Sequence, residues 1–90
     1  MRRAARVDQT QREIVRALER AGCQVKVIGL PFDLLVARAG HLYLLECKSK
    51  GGKLTAGQER DMALGWPVTV VWTAEHALRA VGLVAGFGDD

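Results

Sequence analysis

The sequence predicts a small α/β domain in which helices pack on a mixed β-sheet, in the order α-β-β-β-α-β-α. Three observations carry this prediction. Capping-type threonines stand ahead of helical stretches at Thr10, Thr55 and Thr73. Three short apolar runs follow the first helix, separated by turns that contain glycine. A further run, Val68-Thr69-Val70-Val71-Trp72, follows the second helix and is apolar enough to be a buried strand of parallel type.

The elements follow in order. Met1 to Gln9 is basic and reads as a frayed arm. Thr10-Gln11-Arg12-Glu13 has the form of a capping box, and Ile14, Ala17, Leu18 and Ala21 then recur at helical spacing, which predicts a helix over 10–21. Gly22 stops it. Cys23 to Ile28 alternates and predicts a strand. After Gly29-Leu30-Pro31-Phe32, the second strand runs from Asp33 to Arg38, and Ala39-Gly40 turns the chain into a third, Leu42 to Lys48. The short turn makes these two an antiparallel hairpin. Ser49 to Leu54 reads as a mobile basic loop, and a helix opens at Thr55 and reaches about Leu64. A last helix, capped at Thr73, reaches about Val81, and the glycine-rich stretch to Asp90 reads as a frayed tail.

With 90 residues, 49% of them hydrophobic, the chain reads as one domain over 1–90, with its core at about 10–81. A net charge of +3 is compatible with a nucleic-acid partner. Arg2, Arg3 and Arg6 cluster at the start, and Lys48, Lys50 and Lys53 near the middle. Cys23 and Cys47 form no metal-binding spacing and read as reduced core thiols. No apolar run approaches the roughly 20 residues of a membrane span, and no signal-type segment follows the basic start. The expectation is a cytoplasmic protein with no membrane association and no small-molecule cofactor.

The third strand carries the chemistry. Alternation places Glu46 and Lys48 on one face with Leu42 and Leu44, and Tyr43, Leu45 and Cys47 on the other. Opposite charges at the end of an apolar strand are costly unless they are used. Asp33 starts the neighbouring strand, so Asp33, Glu46 and Lys48 can converge at one end of the sheet. Two carboxylates form a hard-oxygen site for Mg²⁺ or Mn²⁺, and a lysine beside it can orient water or stabilise charge on phosphorus. That is equipment for metal-assisted phosphodiester hydrolysis.

Asp33 followed by Glu46-Cys47-Lys48 resembles the signature of the PD-(D/E)XK nucleases. The ordered set Gly29-Leu30-Pro31-Phe32-Asp33, Glu46-Cys47-Lys48, Gly51-Gly52-Lys53-Leu54-Thr55, Gln58 and Gly65-Trp66-Pro67-Val68 is similar to the VRR-NUC branch, small stand-alone members of which occur in phages and bacteria. In that family Pro and Asp are usually adjacent, whereas here Phe32 stands between Pro31 and Asp33. The resemblance spans about Gln11 to Val81. It implies a restriction-endonuclease-like fold and a Mg²⁺- or Mn²⁺-dependent endonuclease acting on DNA. Asp33 and Glu46 would be metal ligands, the Cys47 backbone carbonyl a third oxygen and Lys48 the catalytic lysine. Gln58 would line the site, and Glu13 would add an acidic ligand. Small size and the absence of an appended reading domain favour structure-selective cutting of junctions or flaps by a homodimer over sequence-specific cutting. A non-catalytic nucleic-acid-binding or assembly subunit, and a nuclease acting on RNA, stand as alternatives.

Plainer roles compete at several positions. Glu13 and Gln58 each occupy the third position of a capping box, which explains them without chemistry. Arg12, Arg16 and Arg20 fall on one helical face that is either solvated or turned to phosphates, whereas Lys50 and Lys53 lie closer to the site as phosphate contacts. His41 and His76 have no partner in the sequence and read as surface residues. Trp66 and Trp72 read as core or interface, and Tyr43 as core.

Overall fold

The computed structural model describes residues 2–83, with side-chain surroundings from residue 9 onward. The order is α1 (Arg2–Arg20), β1 (Gln24–Val27), β2 (Leu34–Arg38), β3 (His41–Cys47), α2 (Ala56–Ala63), β4 (Val68–Val71) and α3 (Ala74–Ala80). This is a small α/β domain with a four-stranded mixed sheet, ordered β1-β2-β3-β4. The first three strands are antiparallel neighbours and β4 runs parallel to β3, so α2 serves as the crossover between parallel strands. The expected tail after Gly82 lies outside the described residues from residue 84 on.

The β2–β3 hairpin is closed by Ala39 and Gly40, at φ of 51° and 82°. Two consecutive left-handed residues match the right-handed twist of the flanking strands and hold the register tightly. That register pairs Leu34 with Leu45, Val36 with Tyr43 and Arg38 with His41. Leu34, Val36, Leu45, Cys47 and Val71 therefore project to one face, where they pack with Ile14 and Leu18 of α1 and with Ala77 and Val81 at the α3 end. Cys23 joins this core, and both cysteines are free and buried. Tyr43 packs against the same cluster but is only half-buried.

Several expectations are corrected. The segment before Thr10 is helical rather than a frayed arm: α1 starts at Arg2, and Thr10 to Glu13 lies inside the helix, not at its start. Alanine and arginine are strong helix formers, so the basic segment simply extends the amphipathic helix backwards. β4 is an edge strand in which only Val71 is fully buried, so its apolar run does not mark a central position. Trp66 and Trp72, expected as core or interface, are 48% and 40% exposed, which excludes the core reading only. His76 does have a partner, since its Nδ1 accepts a hydrogen bond from the Trp72 N–H at 3.4 Å.

Phe32 is the unforeseen core residue. It is fully buried and is the largest side chain so enclosed. It anchors the β1–β2 loop, which is also tied by the Ile28 and Gly29 N–H groups, both donating to the Asp33 carbonyl at 2.9 and 3.2 Å. The residue that separates Pro31 from Asp33 is thus the plug that fixes Asp33 just ahead of β2.

Candidate active site

The β2–β3 backbone ladder reaches Leu34 and Leu45. One pair beyond it, Asp33 stands opposite Glu46, and the two side chains take over from the ladder. The Cys47 N–H donates to Asp33 Oδ2 at 2.9 Å, and the Asp33 N–H donates to Glu46 Oε1 at 3.2 Å. Each carboxylate therefore satisfies a backbone donor of the opposite strand, which locks both at the same sheet end. Lys48 Nζ closes the group at 3.3 Å from Glu46 Oε2. The sequence-predicted trio of Asp33, Glu46 and Lys48 comes together.

The group is largely withdrawn from water. Glu46 is 3% exposed, the one buried charged residue among the described residues. Burial pushes the Asp33 carboxyl above the ordinary carboxylate range, and the negative charge of Glu46 and a side-chain hydrogen bond with it push the same way. The Cys47 N–H and the Lys48 ammonium oppose this shift. Two carboxylates held so close, with Lys48 as their cation, lack positive charge. This is the donor set and the electrostatic need that a hard divalent cation meets.

Cys47 lies between Glu46 and Lys48 but faces the core. Burial first, then the charges of Asp33 and Glu46, push its thiol up to about 12. It stays protonated at any physiological pH and is no nucleophile. Lys48 is held from its own side by the turn after β3. The Gly52 N–H bonds the Ser49 carbonyl at 2.8 Å. A Cβ at Gly52 would lie 3.0 Å from that carbonyl and 3.4 Å from Lys48 Cδ. The stretch read as a mobile loop thus contains a tight turn laid against the lysine stem. The sequence signal for it was the Gly51-Gly52 pair, which reads equally well as a flexible loop.

The remaining candidates are placed less centrally. Gln58 forms the expected capping box: its N–H bonds Thr55 Oγ1 and its Oε1 accepts the Thr55 N–H, both at 3.1 Å. It also lines a cleft with Leu30 and Pro31, the loop that leads to Asp33. Glu13 is exposed on α1, the helix that covers the opposite face of the sheet from Glu46. Among the described residues no group of three or more His, Cys, Asp or Glu side chains could hold a metal together, so Glu13 does not join the pair. Lys50 and Lys53 are exposed on the segment that follows Lys48. Arg12 and Arg16 are exposed on α1. Arg12 borders a hollow of about 290 Å³ with Gln11, Val15 and Val27. Val27 pairs with Leu34, so this hollow lies toward the Asp33 end of the sheet.

The geometry defines a class of site, a carboxylate pair, one member buried and one part-buried, with an attached lysine at the end of a hairpin. Comparison with protein-family profiles, with curated proteins and with solved structures finds no match for the chain.

Proposed function

We propose that this chain is a divalent-metal-dependent endonuclease of the restriction-endonuclease-like fold, similar to the VRR-NUC branch, which hydrolyses DNA phosphodiester bonds and selects branched structures. The observation that carries the reading is the reciprocal locking of Asp33 and Glu46 with Lys48 beside them. A capping role alone would explain one carboxylate accepting a backbone N–H. It does not explain a buried Glu46 set against a part-buried Asp33 whose carboxyl is raised by burial and by the Glu46 charge, since such an arrangement costs stability unless a cation relieves it.

A bound Mg²⁺ or Mn²⁺ would supply positive charge against the phosphate oxygens and lower the pKa of water. Asp33 and Glu46 would hold it through their carboxylates, with the Cys47 carbonyl as a third oxygen. The protein side of the reaction falls to Lys48. Its ammonium sits against Glu46 Oε2 and would donate hydrogen bonds to the attacking water or to the phosphate. Water attacks phosphorus in line and gives up a proton to solvent, the bond to the leaving oxygen breaks, and that oxygen takes up a proton from solvent to leave as a hydroxyl. Cys47 faces the core and stays protonated, which supports direct hydrolysis over a covalent intermediate. Lys50 and Lys53 would draw the strand's phosphates toward Lys48.

A second reading, a non-catalytic nucleic-acid-binding or assembly subunit that keeps the fold, draws on the pair having no third acidic side chain among the described residues. Incubation with flap, junction and single-stranded DNA and with RNA, in Mg²⁺, Mn²⁺ or EDTA, separates these readings. The nuclease reading expects metal-dependent cutting of branched DNA. Binding of those substrates without cutting of any of them favours the subunit, and cutting confined to RNA moves the substrate class.

A further inference from the structure

The β1–β2 loop leaves one large apolar side chain standing in solvent. Leu30 is 82% exposed, more than any other large hydrophobic residue described. Its backbone is not slack. On one side the Ile28 and Gly29 N–H groups are tied to the Asp33 carbonyl, and on the other Phe32 is fully buried. Pro31 between them fixes its own φ. Leu30 is therefore presented by a short, pinned loop, at the cost of exposing an apolar surface.

Leu30 and Pro31 form one wall of an open cleft of about 510 Å³, and Thr55, Gly57, Gln58 and Asp61 line the rest. This volume lies within the usual range of about 300–1,000 Å³ for small-ligand sites. The lining chemistry decides the occupant. Among the described residues no lysine or arginine lines the cleft, Asp61 contributes a carboxylate and the Arg60 guanidinium only approaches Gly57, so a phosphate finds no direct cationic partner on the lining. A flat, neutral ring is accommodated: its face lies on Leu30 and Pro31, and an exocyclic amino group can donate to Asp61, as cytosine amino groups do to acidic side chains. Pro31 is two residues from Asp33, which keeps their Cα atoms within about 7 Å. A base in the cleft and a phosphate at Asp33 and Glu46 can therefore belong to one strand.

We propose that this cleft takes an unpaired nucleobase adjoining the cleaved phosphate, with Leu30 as the apolar wedge that keeps the base out of its stack. The inference rests on the nuclease reading and deepens it: a fully paired duplex must unstack to fill the cleft, whereas a flap or junction offers an unpaired base already.

The test uses the full chain carrying Lys48→Ala, in Mg²⁺, with flap DNA that holds a fluorescent adenine analogue either at the unpaired branch nucleotide or within the paired arm. Binding is expected to change the emission of the branch analogue and leave that of the paired analogue unchanged. Adding Leu30→Ala is expected to weaken flap affinity about tenfold, with an unchanged melting temperature because the side chain is exposed. Equal flap affinity with and without Leu30, or the same emission change at both positions, overturns the inference. If the wild-type chain cuts flaps while Leu30→Ala binds them equally well, the cleft inference falls and the nuclease reading stands. If the wild-type chain cuts nothing while the branch signal appears and depends on Leu30, the nuclease reading falls and base capture stands.

Discussion

Asp33 carries a charge its surroundings oppose. Its carboxyl is raised by burial and by Glu46. A carboxyl with a raised native pKa binds more protons folded than unfolded between the two pKa values. Its contribution to stability is therefore fully present below the ordinary Asp value, about 3.9, and is lost as pH rises through the raised value. Asp33→Asn keeps an oxygen for the Cys47 N–H and removes the charge. In metal-free buffer it should melt above the wild type at pH 7, with the gap closing toward about pH 4. Added Mg²⁺ should raise the wild-type melting temperature and leave Asp33→Asn unmoved, because binding to the native state alone stabilises it. A variant that melts below the wild type at pH 7 without metal would show that the two carboxylates are not in conflict.

Gly52 is the second residue on which the site depends. Its missing Cβ leaves room for the Ser49 carbonyl and the Lys48 stem. In Gly52→Ala the new Cβ lies 3.0 Å from the Ser49 backbone carbonyl, so the turn that follows Lys48 must shift, while the lysine stem at 3.4 Å is in ordinary contact. Turnover should fall about tenfold or more, as a small misplacement of a catalytic group costs, while the melting temperature changes little. An unchanged turnover number would mean that Lys48 is not held by this turn.

At the scale of elements, α2 is the least anchored piece. None of its residues is buried, and its N-terminus is held by the reciprocal Thr55–Gln58 capping box. Thr55→Ala should cost about 1 kcal/mol. The loss should appear as faster amide hydrogen exchange in α2, with the β2–β3 amides unaffected, because a helix without buried contacts opens locally. Equal acceleration across the sheet would show that α2 is part of the cooperative core.

The hairpin explains why the trio was legible in the sequence. Once Ala39-Gly40 is read as a tight turn, counting along both strands sets Asp33 opposite Glu46, and alternation carries Lys48 to the same face. The misreadings have equally local causes. Thr10 to Glu13 satisfies the pattern of a helix start, but a capping box is a statement about side-chain hydrogen bonds, and the preceding Arg and Ala residues are too favourable for helix to leave the start there. Phe32 looked like a loop residue because no periodicity surrounds it, and only the path of the loop reveals that it is buried. The place of β4 at the sheet edge is set by strand order, which apolar content does not encode.

At the scale of the whole molecule, the chain leaves apolar side chains uncovered: Val27, Leu30, Leu42 and Leu64 are each more than half exposed, at 59%, 82%, 67% and 73%. Scattered single apolar residues are normal on a surface and do not by themselves mark an interface. No described helix is long and apolar enough to cross a membrane. A two-fold dimer would present two Asp33–Glu46–Lys48 groups to two strands of a junction. Sedimentation at micromolar concentration should give a dimer mass, and a monomer that still cuts junctions symmetrically would contradict that arrangement.

We propose that Asp33, Glu46 and Lys48 act together as a metal-dependent hydrolytic site. The most direct measurement is the cutting rate on flap DNA for the wild type and Lys48→Ala, in Mg²⁺ and in EDTA, with a melting curve to show that the variant is folded. Removing Lys48 should cost about 2 kcal/mol of stability, because Glu46 is left buried with less compensation. The predicted result is cutting by the wild type in Mg²⁺, none in EDTA, and a rate about a hundredfold or more lower for folded Lys48→Ala. Cutting that persists in EDTA, or that is as fast in folded Lys48→Ala, would contradict the account.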